Sequence, residues 1–136
     1  MRLALNDEQR SLLEAVTDVL ATEASFDRWY RPDIDMLAEE RRLNRLGAEM
    51  GWIGIAAPTA LGGLELDLVD LAVVHSRLGA WLAPLGLSFA ALVAEAAAAA
   101  GDADLAVGII RGETGVALIG ETGLAVGQAA PGVAFR

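Results

Sequence analysis

Few side chains in this chain have the company that catalysis requires. His75 is the only histidine and there is no cysteine. Disulfides, thiolate nucleophiles and cysteine-based metal sites are therefore excluded, and a single imidazole makes a poor metal ligand. No serine stands in the glycine-flanked setting of a nucleophile elbow. Glu65, Asp67 and Asp70 cluster before a run of apolar residues. There, carboxylates are better placed to favour a helix dipole than to exchange protons in a cleft. Trp29, Trp52 and Trp81 read as anchors of a core or an interface. No complete acid–base, nucleophilic or metal constellation can be assembled from these residues.

The bulk properties narrow the setting. The chain has 136 residues, 54% of them hydrophobic and 21% charged, with a mean hydropathy of +0.44. One domain of this size cannot hide so much apolar surface by itself, so the excess points to a membrane or to absent packing partners. The longest uncharged stretch, Leu78 to Ala94, is broken by Pro84 and thinned by alanine and glycine. It falls short of the roughly 20 apolar residues that a spanning helix needs. No leader pattern opens the chain, since Arg2 and Leu3 run straight into Asn6, Asp7 and Glu8. The expectation is a cytoplasmic protein that meets neither membrane nor nucleic acid. Net charge is −9, and every cation is arginine without a basic stripe, which disfavours phosphate contacts.

Helices position whatever site exists. A first helix is expected over 7–24, with Asn6 as N-cap, Gln9 completing a capping box, and Leu12, Leu13, Val16, Val19 and Leu20 on one stripe. A second is expected over 35–50, with Leu43, Leu46 and Met50 on one face and Gly51 as a left-handed cap. Pro58, Gly62 and Gly63 then mark an irregular loop in which both glycines are free to take positive φ. Helices over 67–82 and 85–100 are apolar nearly all round, which predicts burial on every side. A fifth starts on Asp102 and stops at Gly112. Val116 to Ile119 reads as a strand, and Val133 to Phe135 as another. Isolated strands need neighbours, so the chain is expected to stop inside a sheet. The fold class is thus an all-α antiparallel bundle carrying the first strands of a following β-domain, divided at 1–113 and 114–136.

This order resembles the acyl-CoA dehydrogenase family. Asn6-Asp7-Glu8-Gln9-Arg10 is similar to the family's opening helix. Leu46 to Ile55, with Gly47, Gly51, Trp52 and Gly54, leads into the Pro58-x-x-x-Gly62-Gly63 loop in the family's manner. Asp70-Leu71-Ala72 through Leu78-Gly79, then Ala100-Gly101-Asp102, Arg111-Gly112-Glu113 and Val116 to Glu121 complete the resemblance.

The resemblance implies an FAD-dependent oxidoreductase that oxidises an acyl-CoA thioester to the 2,3-enoyl-CoA, acting in fatty acid metabolism as a homo- or hetero-oligomer. Its catalytic glutamate would lie in a C-terminal bundle that this chain lacks, so the fragment is expected to be inactive alone. Cofactor contacts would fall on Ile119, Gly120 and Glu121, and the end of the acyl pocket on Leu87, Ser88, Phe89 and Leu92. Read without the family, those four residues are equally ordinary helix packing. The chain also departs from the family pattern. Gly120-Glu121-Thr122-Gly123-Leu124 stands where a Thr-Glu-Pro segment and a serine-bearing turn are usual. That departure leaves open a flavin-deficient partner subunit of a hetero-oligomer; a second alternative is that the fold serves other flavin chemistry, as in a related flavin monooxygenase.

Overall fold

The computed structural model describes residues 4–83, 85–119 and 123–128. Helices α1 (Asp7–Glu23), α2 (Met36–Glu49), α3 (Leu68–Ala80), α4 (Leu85–Ala99) and α5 (Ala103–Ile110) precede strands β1 (Thr114–Ile119) and β2 (Gly123–Gln128). Local chemistry sets most of these limits. The Asn6 carboxamide accepts from the Gln9 amide while Gln9 returns a bond to the Asn6 amide, so two orphan donors of α1 are satisfied together. Asp67 and Asp70 form the same reciprocal box at α3. Asp70 also accepts from Gln9 Nε2 at 3.0 Å, so the N-terminal turns of α1 and α3 are tied side by side. At the end of α2, Gly51 takes φ +76°. Its amide bonds to Ala48 and that of Trp52 to Gly47, the paired pattern of a Schellman cap.

The core gathers Val16 and Leu20 of α1, Leu43 of α2, Leu71, Val74 and Leu78 of α3, Leu87, Ala91 and Ala94 of α4, and Ile109 and Ile110 of α5. Trp52, Ile53, Ile55 and Ala57 enter it from irregular backbone. Buried irregular backbone must find partners for its amides and carbonyls. Here it does so by folding residues 63–66 back on 54–58, with Leu64 N–H bonding to Gly54 O, Leu66 N–H to Ile55 O and Glu65 N–H to Ala57 O.

Two short 3-10 turns, Phe26–Tyr30 and Thr59–Leu61, were not legible from periodicity. The first docks on the end of α3 through a Phe26–Trp81 stack, with centroids 5.0 Å apart and rings 8° from parallel. The Trp29 side chain lies outside the described residues.

Several expectations need correction. Helices α3 and α4 are not buried on every side: Leu68 is 67% exposed, Val69 is also exposed, and Leu92 is 55% exposed. Their all-round apolar character leaves each with exposed apolar side chains among the described residues. Met50 is exposed as well, since it caps α2 instead of continuing the Leu43–Leu46 face. Gly62 takes φ +88°, but Gly63 does not take positive φ. Glu65 has φ +55° and lies before α3, where its carboxylate accepts from the Thr59 hydroxyl at 2.9 Å. The strand after Thr114 pairs antiparallel with Gly123–Gln128, in register from Thr114 opposite Gln128 to Ile119 opposite Gly123. The second strand, Gly123–Gln128, was not among the expected elements. The strand expected at Val133 to Phe135 lies outside the described residues.

Candidate functional site

The four residues expected on an acyl pocket are split by the geometry of α4. Leu87 is 1% exposed and fills the space a side chain at Gly47 would take: a Cβ built there would stand 2.3 Å from Leu87 Cδ2. Glycine at 47 therefore lets α2 and α4 meet closely. Ser88 turns toward α3. Phe89 is half-buried, and Leu92 one turn further is largely exposed. Phe89, Leu92, Ala96 and Ala99 recur at helical spacing and form an outward apolar row. Leu92, Ala96 and Ala99 in that row are exposed.

Behind this row sits a polar link that sequence reasoning missed. His75 Nδ1 lies 2.8 Å from Ser88 Oγ, and Nε2 lies 3.0 Å from the Trp52 carbonyl. A carbonyl can only accept, so Nε2 carries the hydrogen and Nδ1 accepts from the serine hydroxyl. The imidazole is neutral, and burial holds its pKa below the usual histidine range, partly offset by the bond to Trp52. No carboxylate orients the ring, so the pair is not a nucleophilic relay. It gives a buried carbonyl its partner and joins α3, α4 and the 52–57 segment. A signal was present, because Leu71, His75 and Leu78 share one helical stripe.

That burial has a consequence with a definite sign. The unfolded chain protonates His75 near the ordinary value of about 6.5, whereas the folded chain does so only at lower pH. The unfolded state then binds more protons, so stability is full above about pH 6.5 and declines as pH falls below it. Glu39, held below the usual carboxylate range chiefly by the Arg42 hydrogen bond, adds a further loss at more acid pH. Urea midpoints of the wild type and His75→Gln, compared across this interval, should converge as the pH is lowered. Parallel curves would show that His75 does not contribute this dependence.

A second polar cluster lies away from α4. Arg28, 6% exposed, donates to the carbonyls of Ser25 at 2.7 Å and Trp81 at 3.1 Å, and its Nε lies 3.6 Å from Glu39 Oε1. Arg42 bridges Glu39 and Glu23 and also donates to the Glu23 backbone carbonyl. The cluster balances its own charges and holds the 26–30 turn in place.

A groove of about 520 Å³ runs between α1 and α3, lined by Leu5, Gln9, Leu13, Val69, Val73 and Arg77 among others, with no residue from α4. The α4 row lies apart from this groove, with Leu92, Ala96 and Ala99 exposed. Beside it, Glu95 has a carboxyl oxygen enclosed without a hydrogen-bond partner among the described residues, and burial raises its pKa. Ile119 ends β1 opposite Gly123; Gly120 and Glu121 lie outside the described residues. Among the described residues, no group of three or more His, Asp or Glu stands together as a metal set, and no helix is long and apolar enough to cross a membrane.

Comparison with known proteins bears on the helices and on β1 as far as Val116. No curated protein matches the chain, and no solved structure does. Residues 6–116, from the Asn6 cap of α1 to the third residue of β1, match the profile of the acyl-CoA dehydrogenase N-terminal domain. The match takes in the five-helix arrangement, the Gly62-Gly63 loop and both faces of α4. This chain belongs to the acyl-CoA dehydrogenase family through its N-terminal helical domain.

Proposed function

We infer that this domain, spanning 1–113, supplies one wall of an acyl pocket in an FAD-dependent enzyme that oxidises an acyl-CoA thioester to the 2,3-enoyl-CoA. A β-domain would begin at 114. The uncovered apolar row of α4 is the observation that carries this reading. Leu92 is 55% exposed on it among the described residues, as expected of a wall whose opposite side comes from another domain or subunit. Phe89 and Leu92 face the acyl chain in this arrangement, while Leu87 and Ser88 hold the helix from behind. The apolar row excludes water from one side of the substrate and offers it no hydrogen bonds, so affinity there grows with the methylene groups buried.

FAD, when bound, would take up the substrate's β-hydrogen as hydride. The chain's contribution to its binding is assigned to Ile119, Gly120 and Glu121, through backbone groups, because the threonine hydroxyl usual at this point is absent. The protein's share of such chemistry is binding and orientation. No residue of this domain is assigned as the base.

The test uses the full-length protein as its gene encodes it. Purified protein should carry visible flavin absorbance, and anaerobic addition of a saturated acyl-CoA should bleach it. Flavin that no acyl-CoA bleaches would overturn the reaction. Protein purified without flavin, and unable to take it up, would instead establish the flavin-deficient subunit suggested by Gly120-Glu121-Thr122.

A further inference from the structure

Helix α4 has an unusual packing problem. Its fully buried positions are Leu87, Ala90, Ala91, Ala94 and Ala97, with Val93 partly buried against the core, so alanine dominates the inner face after Leu87. Ridges built from alanine are shallow. A one-turn slide of the helix would set alanine where alanine had been, with little loss of contact. Packed elements can shift by such one-turn steps when both arrangements pack comparably, and apolar cores lose uniqueness before they lose stability.

Besides the partly buried Val93, two features break this degeneracy. One is Leu87 over Gly47. The other is the Ser88–His75 bond, the only side-chain hydrogen bond that α4 makes among the described residues. Its far end is fixed, because His75 Nε2 is held by the Trp52 carbonyl in the buried 52–57 segment. A slide of α4 would leave both the hydroxyl and Nδ1 without partners inside the protein, and a buried polar group left unpaired is costly. A single buried polar contact is a known way for proteins to specify register at little gain in stability.

We propose that Ser88 and His75 are positioning residues: their hydrogen bond locks the register of α4 and thereby sets where Phe89 and Leu92 stand on its outer face. Resting on the acyl-pocket reading above, this makes the pair a determinant of acyl chain-length preference without either residue reaching the reacting carbons.

Ser88→Ala removes the hydroxyl and keeps a good helix former, and Ser88→Thr restores a hydroxyl. The full-length protein labelled with 4-fluorophenylalanine reports on all its phenylalanines, of which Phe26, Phe89 and Phe135 lie in this chain, with the Phe26 and Phe89 signals assigned through Phe26→Leu and Phe89→Leu. The Phe89 fluorine resonance should shift or split in Ser88→Ala and return in Ser88→Thr, while that of Phe26 stays. Across straight-chain acyl-CoAs of increasing length, the ratio of kcat/KM between long and short substrates should change on the order of tenfold in Ser88→Ala. That change should lie mainly in KM and revert in Ser88→Thr. An unmoved Phe89 resonance overturns the lock. A moved resonance with an unchanged length profile overturns its role in specificity. If the wild type oxidises no acyl-CoA, the reaction assignment falls, and the fluorine spectrum alone decides the lock.

Discussion

Gly63→Ala is expected to be severely destabilising, although it adds one methyl group. A Cβ built at Gly63 would stand 2.0 Å from the Ala57 carbonyl oxygen and 2.4 Å from its carbon. Both are backbone atoms, so no rotamer change can relieve the clash. Ala57 is fully buried, and the strand-like return of 63–66 on 54–58 is held by four backbone bonds. Relief would require that return to open, exposing Ile53 and Ile55 together with their unpaired amides and carbonyls. A loss of about 4 kcal/mol or more follows from combining overpacking with broken buried hydrogen bonds, against a total of roughly 5–15 kcal/mol for a domain. Gly62 is the internal comparison. It needs its positive φ, but an added Cβ finds only Ile110 Cγ2, at 4.0 Å, so Gly62→Ala should cost about 1–2 kcal/mol. Gly79 in α3 meets nothing within 4 Å, and Gly79→Ala should stabilise by up to about 1 kcal/mol. Denaturant midpoints of the three variants should fall in that order. A Gly63→Ala protein within about 1 kcal/mol of the wild type would refute the close-approach account.

Arg28→Ala should be the most damaging of the arginine substitutions, at about 3 kcal/mol. The side chain caps the C-terminal end of α3 through the Trp81 carbonyl, where a cation also meets the negative end of the helix dipole. It simultaneously returns to Ser25 in its own turn and pairs with Glu39 of α2. Burial lowers the Arg28 pKa and Glu39 opposes that shift, while Arg42 lowers it further. Glu39 is held below the usual carboxylate range first by its hydrogen bond to Arg42 at 2.9 Å, with Arg28 a smaller cause. Deleting Arg28 therefore leaves Glu39 with a partner, and the carbonyl caps account for most of the loss, which lies at the lower end for a broken buried pair. Arg28→Lys should recover only part of it, because one ammonium cannot reach Ser25, Trp81 and Glu39 in the geometry of a planar guanidinium. Urea denaturation of both variants provides the measurement. A lysine variant as stable as the wild type would show that charge suffices and the fork geometry does not matter.

The features legible in the sequence are those whose cause lies within a few residues. The Asn6–Gln9 box, the Asp102 cap, the left-handed Gly51 and the spans of the helices all rest on contacts three to five positions apart. Family membership was legible for a related reason, since it rests on an ordered series of such local signatures over residues 6–116. β2 was hidden because its glycines and small residues resemble a turn until β1 supplies a partner.

The faces of α3 and α4 belonged to the tertiary structure. A helix that is apolar all round carries no periodic signal of which side is inside, so only packing could show that Leu87 is buried and Leu92 exposed. The same holds for the two glycines of the loop. Their composition announces irregular backbone, but only the approach of Ala57 separates Gly63, which must lack a Cβ, from Gly62, which must have positive φ. His75 finds Ser88 13 residues away and Arg28 finds Trp81 53 residues away. Sequence alone determined the helices and the family, because short-range hydrogen bonding and spacing are written locally. Which polar groups meet across those helices, and which apolar face is left open as a wall, depended on long-range packing that leaves no local pattern.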